Sequence, residues 1–147
     1  MKNWIIEEKE FFQEKITSNG NKFLVGNGYM GIRGTLQEYE KEEFPAINLA
    51  GIYDQVGDAW REPLNAPNGL YTYIEFAGKP YRLPEDLPSD HCMALDYRHG
   101  IFYRDTKWNT GDGVIEVKAE RFASLDEKHL IAMKYSVCAN SDGEVKL

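Results

Sequence analysis

Val114-Ile115-Glu116-Val117-Lys118-Ala119-Glu120-Arg121-Phe122-Ala123-Ser124 alternates along its length. Ile115, Val117 and Ala119 fall on one face, and Glu116, Lys118 and Glu120 on the other. A period of two marks a half-buried strand, whereas a helix would repeat its apolar residues roughly every three or four positions. Downstream, Leu130 to Ala139 repeats the pattern, with Ile131, Met133, Tyr135 and Val137 together. Asn140 to Gly143 turns the chain, and Glu144-Val145-Lys146-Leu147 begins another strand. Upstream, Gly111-Asp112-Gly113 is a turn. Leu95 to Arg98, His99-Gly100 and Ile101 to Arg104 read as a tight hairpin. Before that, Tyr71 to Phe76 alternates, and Ala77-Gly78-Lys79-Pro80 turns into Tyr81-Arg82-Leu83. Short strands in series, separated by turns, predict an all-β, mainly antiparallel sandwich. The last strand pattern has no closing segment, so residues 1–147 are expected to be one incomplete domain of a longer protein.

The first half is less regular. Trp4 to Glu8 predicts a short strand. Glu7 to Ile16 predicts a helical turn or two, with Phe11, Phe12 and Ile16 on one side. Asn19-Gly20-Asn21 reads as a turn. Ala46 to Tyr53 reads as a strand with Gly51 as a bulge or close-approach point. Residues 54–70 read as a long loop, because Gly57, Pro63, Pro67 and Gly69 argue against regular structure. Long loops are often functional. This one carries Trp60, a large ring that a purely solvated loop does not need.

Composition narrows the function. The net charge of −7 argues against nucleic acid or an anionic membrane as partner, since both need a basic footprint. The start of the chain lacks the apolar run of a signal peptide, and no stretch approaches a membrane span. Cys92 and Cys138 have no metal spacing and are expected to be reduced. His91, His99 and His129 are scattered, so no metal site is expected. A cytoplasmic soluble protein is the default. The aromatic content of 13% suits a β-rich fold and also sugar-facing surfaces.

Gly26-Asn27-Gly28-Tyr29-Met30-Gly31-Ile32-Arg33-Gly34 packs four glycines into nine residues. Such density demands positive φ or close backbone approach. Gly26, Gly28 and Gly31 match the dinucleotide fingerprint, but no helix start follows them, and a helix N-terminus is what holds the pyrophosphate. Arg33 has two readings, an anion ligand or a buried ion pair with Glu38 or Glu40; the ion pair is the simpler. Asp96, Arg98, Arg104 and Asp105 are explained by cross-strand charge pairing rather than by a polar site.

Several segments together resemble the N-terminal domain of glycoside hydrolase family 65, the family of maltose, trehalose and kojibiose phosphorylases. They are Trp4-Ile5-Ile6-Glu7, the run Phe23 to Glu38 containing the glycine-rich stretch, Leu49 to Asp54, Leu64-Asn65-Ala66-Pro67-Asn68, Leu95 to Gly100 with Arg104 and Trp108, and Arg121 to Leu125 with His129-Leu130. They occur in the family's order and span essentially the whole chain. The resemblance implies a galactose-mutarotase-like β-supersandwich that precedes a catalytic (α/α) barrel. There a glutamic acid protonates the glycosidic oxygen and inorganic phosphate attacks with inversion, giving β-glucose 1-phosphate. Nothing in this sequence corresponds to the barrel. No catalytic residue carries over, and the chain alone is expected to be inactive.

The resemblance further implies no cofactor beyond phosphate as co-substrate, and an α-linked glucose disaccharide such as maltose as substrate. It implies the catalytic barrel and a second subunit as partners. Gly26, Asn27, Gly28, Tyr29, Gly31, Arg33 and Gly34 become a structural signature. Trp60, Arg61 and Asn65 become a loop facing substrate or interface, with simple packing of Trp60 as the alternative. A free-standing β-sandwich module that binds carbohydrate or protein is the competing function.

Overall fold

A computed structural model describes residues 4–147 apart from Asp112. The strands are β1 (Ile5–Glu8), β2 (Val25–Gly26), β3 (Met30–Ile32), β4 (Ile47–Asp54), β5 (Glu62–Asn65) and β6 (Glu75–Phe76). They continue with β7 (Lys79–Pro80), β8 (Asp90–Asp96), β9 (Ile101–Asn109), β10 (Val114–Ala123), β11 (Ile131–Ala139) and β12 (Val145–Lys146). One short helix, α1 (Ile16–Lys22), lies between β1 and β2. A five-stranded antiparallel sheet has the order β1-β8-β9-β10-β11, a second sheet β2-β3-β4-β5, and a small third β12-β6-β7.

The alternation read in β10 sets the inward face. Ile115, Val117 and Ala119 are buried, while Lys118 and Glu120 face out. Neighbouring strands add Met93, Leu95, Phe102 and Trp108 to that face, and β2, β3 and β4 bring Val25, Ile32 and Ile47 against it. Ile131, Met133, Tyr135 and Val137 point the same way on β11 but are only half-buried, because β11 is the edge of the sheet. The fold is therefore mainly antiparallel β, as the periodicity predicts.

Four expectations need correction or restriction. Asn19 and Gly20 belong to α1 rather than to a turn. A Cβ at Gly20 would run into the Arg33 side chain, so the glycine serves close packing, not chain reversal. The long loop holds a strand, β5, with Pro63 opposite Tyr53. Pro is tolerated there because β5 is an edge strand and its outer side needs no ladder N–H. Of the alternating run Tyr71 to Phe76, only Glu75–Phe76 pairs as a strand. The turn read at Gly111-Asp112-Gly113 includes a residue outside those described. Gly51 does mark a bulge, with φ +86 and a register shift between Asn48 and Tyr53.

Candidate functional site

The glycine-rich stretch is a clasp. Gly28 takes φ 84 at the tip of the β2–β3 turn, where an L side chain is strained. Asn27 organises the rest. Its Oδ1 accepts from the N–H groups of Tyr29 (3.0 Å) and Met30 (2.8 Å), and its Nδ2 donates to the carbonyls of Ser124 (2.6 Å) and Lys128 (3.0 Å). One side chain thus ties two segments roughly a hundred residues apart in sequence. Tyr29 stacks edge-on with His129 on the same surface, at 4.6 Å between ring centroids. A Cβ at Gly26 would approach Met30 O to 2.8 Å, and one at Gly34 would approach Phe23 Cβ to 2.5 Å. A Cβ at Gly31 would meet open space.

Arg33 makes no ion pair among the described residues, and its Nε has no protein partner. Its Nη2 donates to Thr17 O at 2.8 Å, so it straps β3 to α1. The carboxylates assigned to it are engaged elsewhere: Glu38 with Arg104, and Glu40 with Arg82. The reason is geometric. After Gly34 the chain dives inward, and Gly34 to Tyr39 are all buried, which carries Glu38 away from Arg33 into the core.

There Glu38 meets Arg104, which the alternation of β9 turns inward between Phe102 and Trp108. The pair is bidentate, Arg104 Nη2 donating to Glu38 Oε1 at 2.7 Å and Nη1 to Oε2. Nη1 also donates to Gln37 Oε1 (3.1 Å) and Nε to Thr106 Oγ1 (2.8 Å). Thr106 Oγ1 also shares a hydrogen bond with His91 Nδ1 at 2.9 Å, and His91 Nε2 has no protein partner. Burial, and then the Arg104 charge, hold His91 down to about 3, so it is neutral in the fold. Burial alone would lower Arg104, but the Glu38 carboxylate outweighs it and the net direction is upward. Burial, and then Arg104, push Arg121 down to about 9; it donates to Arg33 O (3.0 Å) and lies over the Phe102 ring at 4.2 Å. The cavity beside His91 and Tyr39 holds only about 10 Å³, while His91 also lines an open cleft of about 370 Å³ with Lys9, Glu10, Phe11 and Leu87; Glu38 lines neither.

The hairpin charges divide among three causes. Asp105 pairs across strands with Lys118 at 3.6 Å, as expected. Asp96 instead caps its own turn, accepting from the N–H groups of Arg98 (2.9 Å) and His99 (3.2 Å). Arg104 belongs to the core pair. Residue-type reasoning missed that pair, although its signal was present: the strand period places residue 104 on the same face as Phe102 and Trp108.

The second candidate is an arm. Residues 50–65, the outer parts of β4 and β5 and their connection, are exposed without interruption. Ala59 N donates to Val56 O (3.1 Å) to close the tip, with Gly57 at φ 58. Trp60 follows and is 82% exposed, so it lies outside the core of this domain. It lines an open cleft of about 180 Å³ with Asp54, Val56, Ala59 and Glu62. Arg61 is exposed beside it. Asn65 stands at the arm's base, its Oδ1 accepting from Asn48 Nδ2 at 3.3 Å. Among the described residues no His, Cys, Asp and Glu cluster has metal-binding geometry, and no helix is long and apolar enough to cross a membrane.

Comparison with known proteins gives a consistent set. The model of the glycosyl hydrolase family 65 N-terminal domain matches residues 6–147. Nigerose phosphorylase of Lachnoclostridium phytofermentans is 59% identical over 97% of this chain and 19% of its own length. The 1,2-alpha-glucosylglycerol phosphorylase of Bacillus selenitireducens is 30% identical over 98% of this chain and 19% of its own. Kojibiose phosphorylase of Halothermothrix orenii is 28% identical over 99% of this chain and 19% of its own. A solved structure described as a putative kojibiose phosphorylase from human microbiome superposes with a TM-score of 0.87 at 20% identity, over 97% of this chain and 20% of that one. The chain spans about a fifth of the length of the relatives it matches.

Proposed function

The chain belongs to glycosyl hydrolase family 65, as its N-terminal domain, and from that membership we propose that it serves a phosphorylase of an α-linked glucosyl disaccharide without supplying the chemistry. The observation that carries this reading is the 59% identity with a nigerose phosphorylase over 97% of the chain. It supports nigerose as the disaccharide ahead of maltose, the example the resemblance first implied. In this reading inorganic phosphate is the co-substrate, and a catalytic barrel elsewhere in the protein holds the general acid and the phosphate. The sandwich packs against that barrel, the enzyme is a cytoplasmic homodimer, and the arm bearing Trp60 and Arg61 faces substrate or the second subunit.

Support for a non-catalytic role comes from the polar geometry. The buried carboxylate Glu38 is consumed by Arg104 and reaches no substrate-sized space. The test is phosphorolysis. The protein containing this domain is incubated with phosphate and nigerose, kojibiose, trehalose or maltose, and glucose 1-phosphate is measured. Release from nigerose above the others is expected, with none from residues 1–147 alone. Release by the isolated chain would overturn the non-catalytic reading, and preference for another disaccharide would overturn the substrate.

A further inference from the structure

We infer that Asn68-Gly69 is a site of spontaneous deamidation, the Asn-Gly pair that the fold leaves reactive. The sequence holds three such pairs, Asn19-Gly20, Asn27-Gly28 and Asn68-Gly69. The chemistry is the same for each. The backbone nitrogen of the glycine attacks Cγ of the asparagine and gives its proton to water. The Cγ–Nδ2 bond then breaks and ammonia leaves, closing a cyclic imide on the main chain. Water opens the imide at either carbonyl, giving aspartate or isoaspartate. Glycine favours the reaction because it has no Cβ to obstruct the close approach. The fold decides which pair can make that approach.

Two pairs are locked. Asn19 and Gly20 are buried in α1, and helical backbone carries the glycine nitrogen away from the asparagine side chain. Asn27 is buried and its amide is held at both ends, Oδ1 by two N–H groups and Nδ2 by two carbonyls. Release of ammonia there requires both Nδ2 bonds to break first.

Asn68-Gly69 differs on each count. Both residues are exposed, in the connection between β5 and β6. Asn68 Oδ1 accepts from Leu70 N–H at 3.1 Å, which polarises Cγ and stabilises the oxyanion that forms on attack. No described residue accepts from Asn68 Nδ2, so the leaving group is not tied down. The Gly69 N–H donates to Pro67 O at 3.0 Å, a turn bond in exposed backbone that water replaces. A Cβ at Gly69 would meet open space, so nothing packs against the glycine to hold its nitrogen back. Each event adds one carboxylate. The isoaspartate form also lengthens the main chain just before Leu70, which is buried.

The experiment is incubation of the 147-residue protein at mildly alkaline pH, in native buffer and in urea, followed by peptide mapping with mass spectrometry. In native buffer, aspartate and isoaspartate should accumulate at Asn68 at least about tenfold faster than at Asn19 or Asn27. In urea the three pairs should react at comparable rates, because only the fold distinguishes them. Gly69→Ala should slow the reaction at Asn68 by about tenfold and leave the urea midpoint unchanged, since the position has room for a methyl group. Equal rates at the three pairs in native buffer would overturn the inference. So would an Asn68 that reacts in urea and not in the folded protein, or a rate at Asn68 that Gly69→Ala does not change.

Discussion

Glu38 and Arg104 are each intolerable alone and stable together. Arg104 is fully enclosed, and two of its three nitrogens reach the same carboxylate. Removing one partner of such a pair costs about 3–5 kcal/mol, because the other charge stays buried, while replacing both with apolar residues is often neutral. Glu38→Gln is therefore expected to lower the unfolding free energy by about that amount in urea titrations. Glu38→Met combined with Arg104→Met should recover most of the loss; a double variant as unstable as the single one would refute the argument. His91 carries a separate pH dependence. Its folded pKa is depressed to about 3, so at intermediate pH the unfolded chain binds a proton that the folded chain does not. The contribution is complete above the ordinary histidine pKa of about 6.5 and declines as pH falls toward the folded value, by about 2 kcal/mol at pH 5. His91→Gln should flatten the stability profile between about pH 7 and pH 5. A profile as steep as the wild type's would place the titration elsewhere.

At the scale of elements, the clasp and the arm differ in how they are held. Asn27 makes four hydrogen bonds, two within the β2–β3 turn and two that join it to the loop between β10 and β11. Asn27→Ala should cost about 2–4 kcal/mol, at about 1 kcal/mol per bond with some relaxation. Asn27→Asp should do no better, since a carboxylate would face two carbonyl oxygens. Beyond Ala50, whose N–H donates to Tyr29 O, the arm is held by its own two strands, and such ribbons are marginal in water. Its amides should exchange with solvent ahead of those of β9 and β10. Trp60→Ala should change global stability by no more than about 0.5 kcal/mol, whereas a core Trp would cost roughly 3–5 kcal/mol. The long strands were legible in the sequence because β9 and β10 bury one face each, so their period is written in residue type. β5 was not legible, because both its faces are exposed and Pro63 reads as a breaker until its edge position is known. Helix α1 was hidden for a similar reason: Gly20 signals a turn locally, and only the distant Arg33 explains it. The glycine signature identified the family, but the partner of Arg33 was misread. Sequence proximity favoured Glu38, and the buried turn after Gly34 sends it to Arg104.

At the scale of the molecule, the decisive quantity is surface. The chain exposes 9224 Å², against about 7,700 Å² expected for a compact folded chain of its mass. The difference, about 1,500 Å², is about twice the roughly 800 Å² that one partner loses in a standard protein interface. It is found where the fold is open. The arm is exposed along residues 50–65, and β11 ends the large sheet with its outer ladder unpaired. Met133, Tyr135 and Val137 are only half-covered there, while Leu125 and Leu130 stand exposed in the preceding loop. Unpaired edges beside apolar side chains promote pairing between chains. β11 carries a single charge, Lys134, to discourage it. The isolated 147-residue chain is therefore expected to self-associate. Sedimentation velocity should show an average mass that rises with concentration, and the amides of β11 should gain protection from exchange over the same range. Docking of β11 is the step that explains both. A monomer unchanged in mass across the range, with β11 amides exchanging freely, would show that nine residues of open edge are tolerated and that the excess surface is a stable property of the fold.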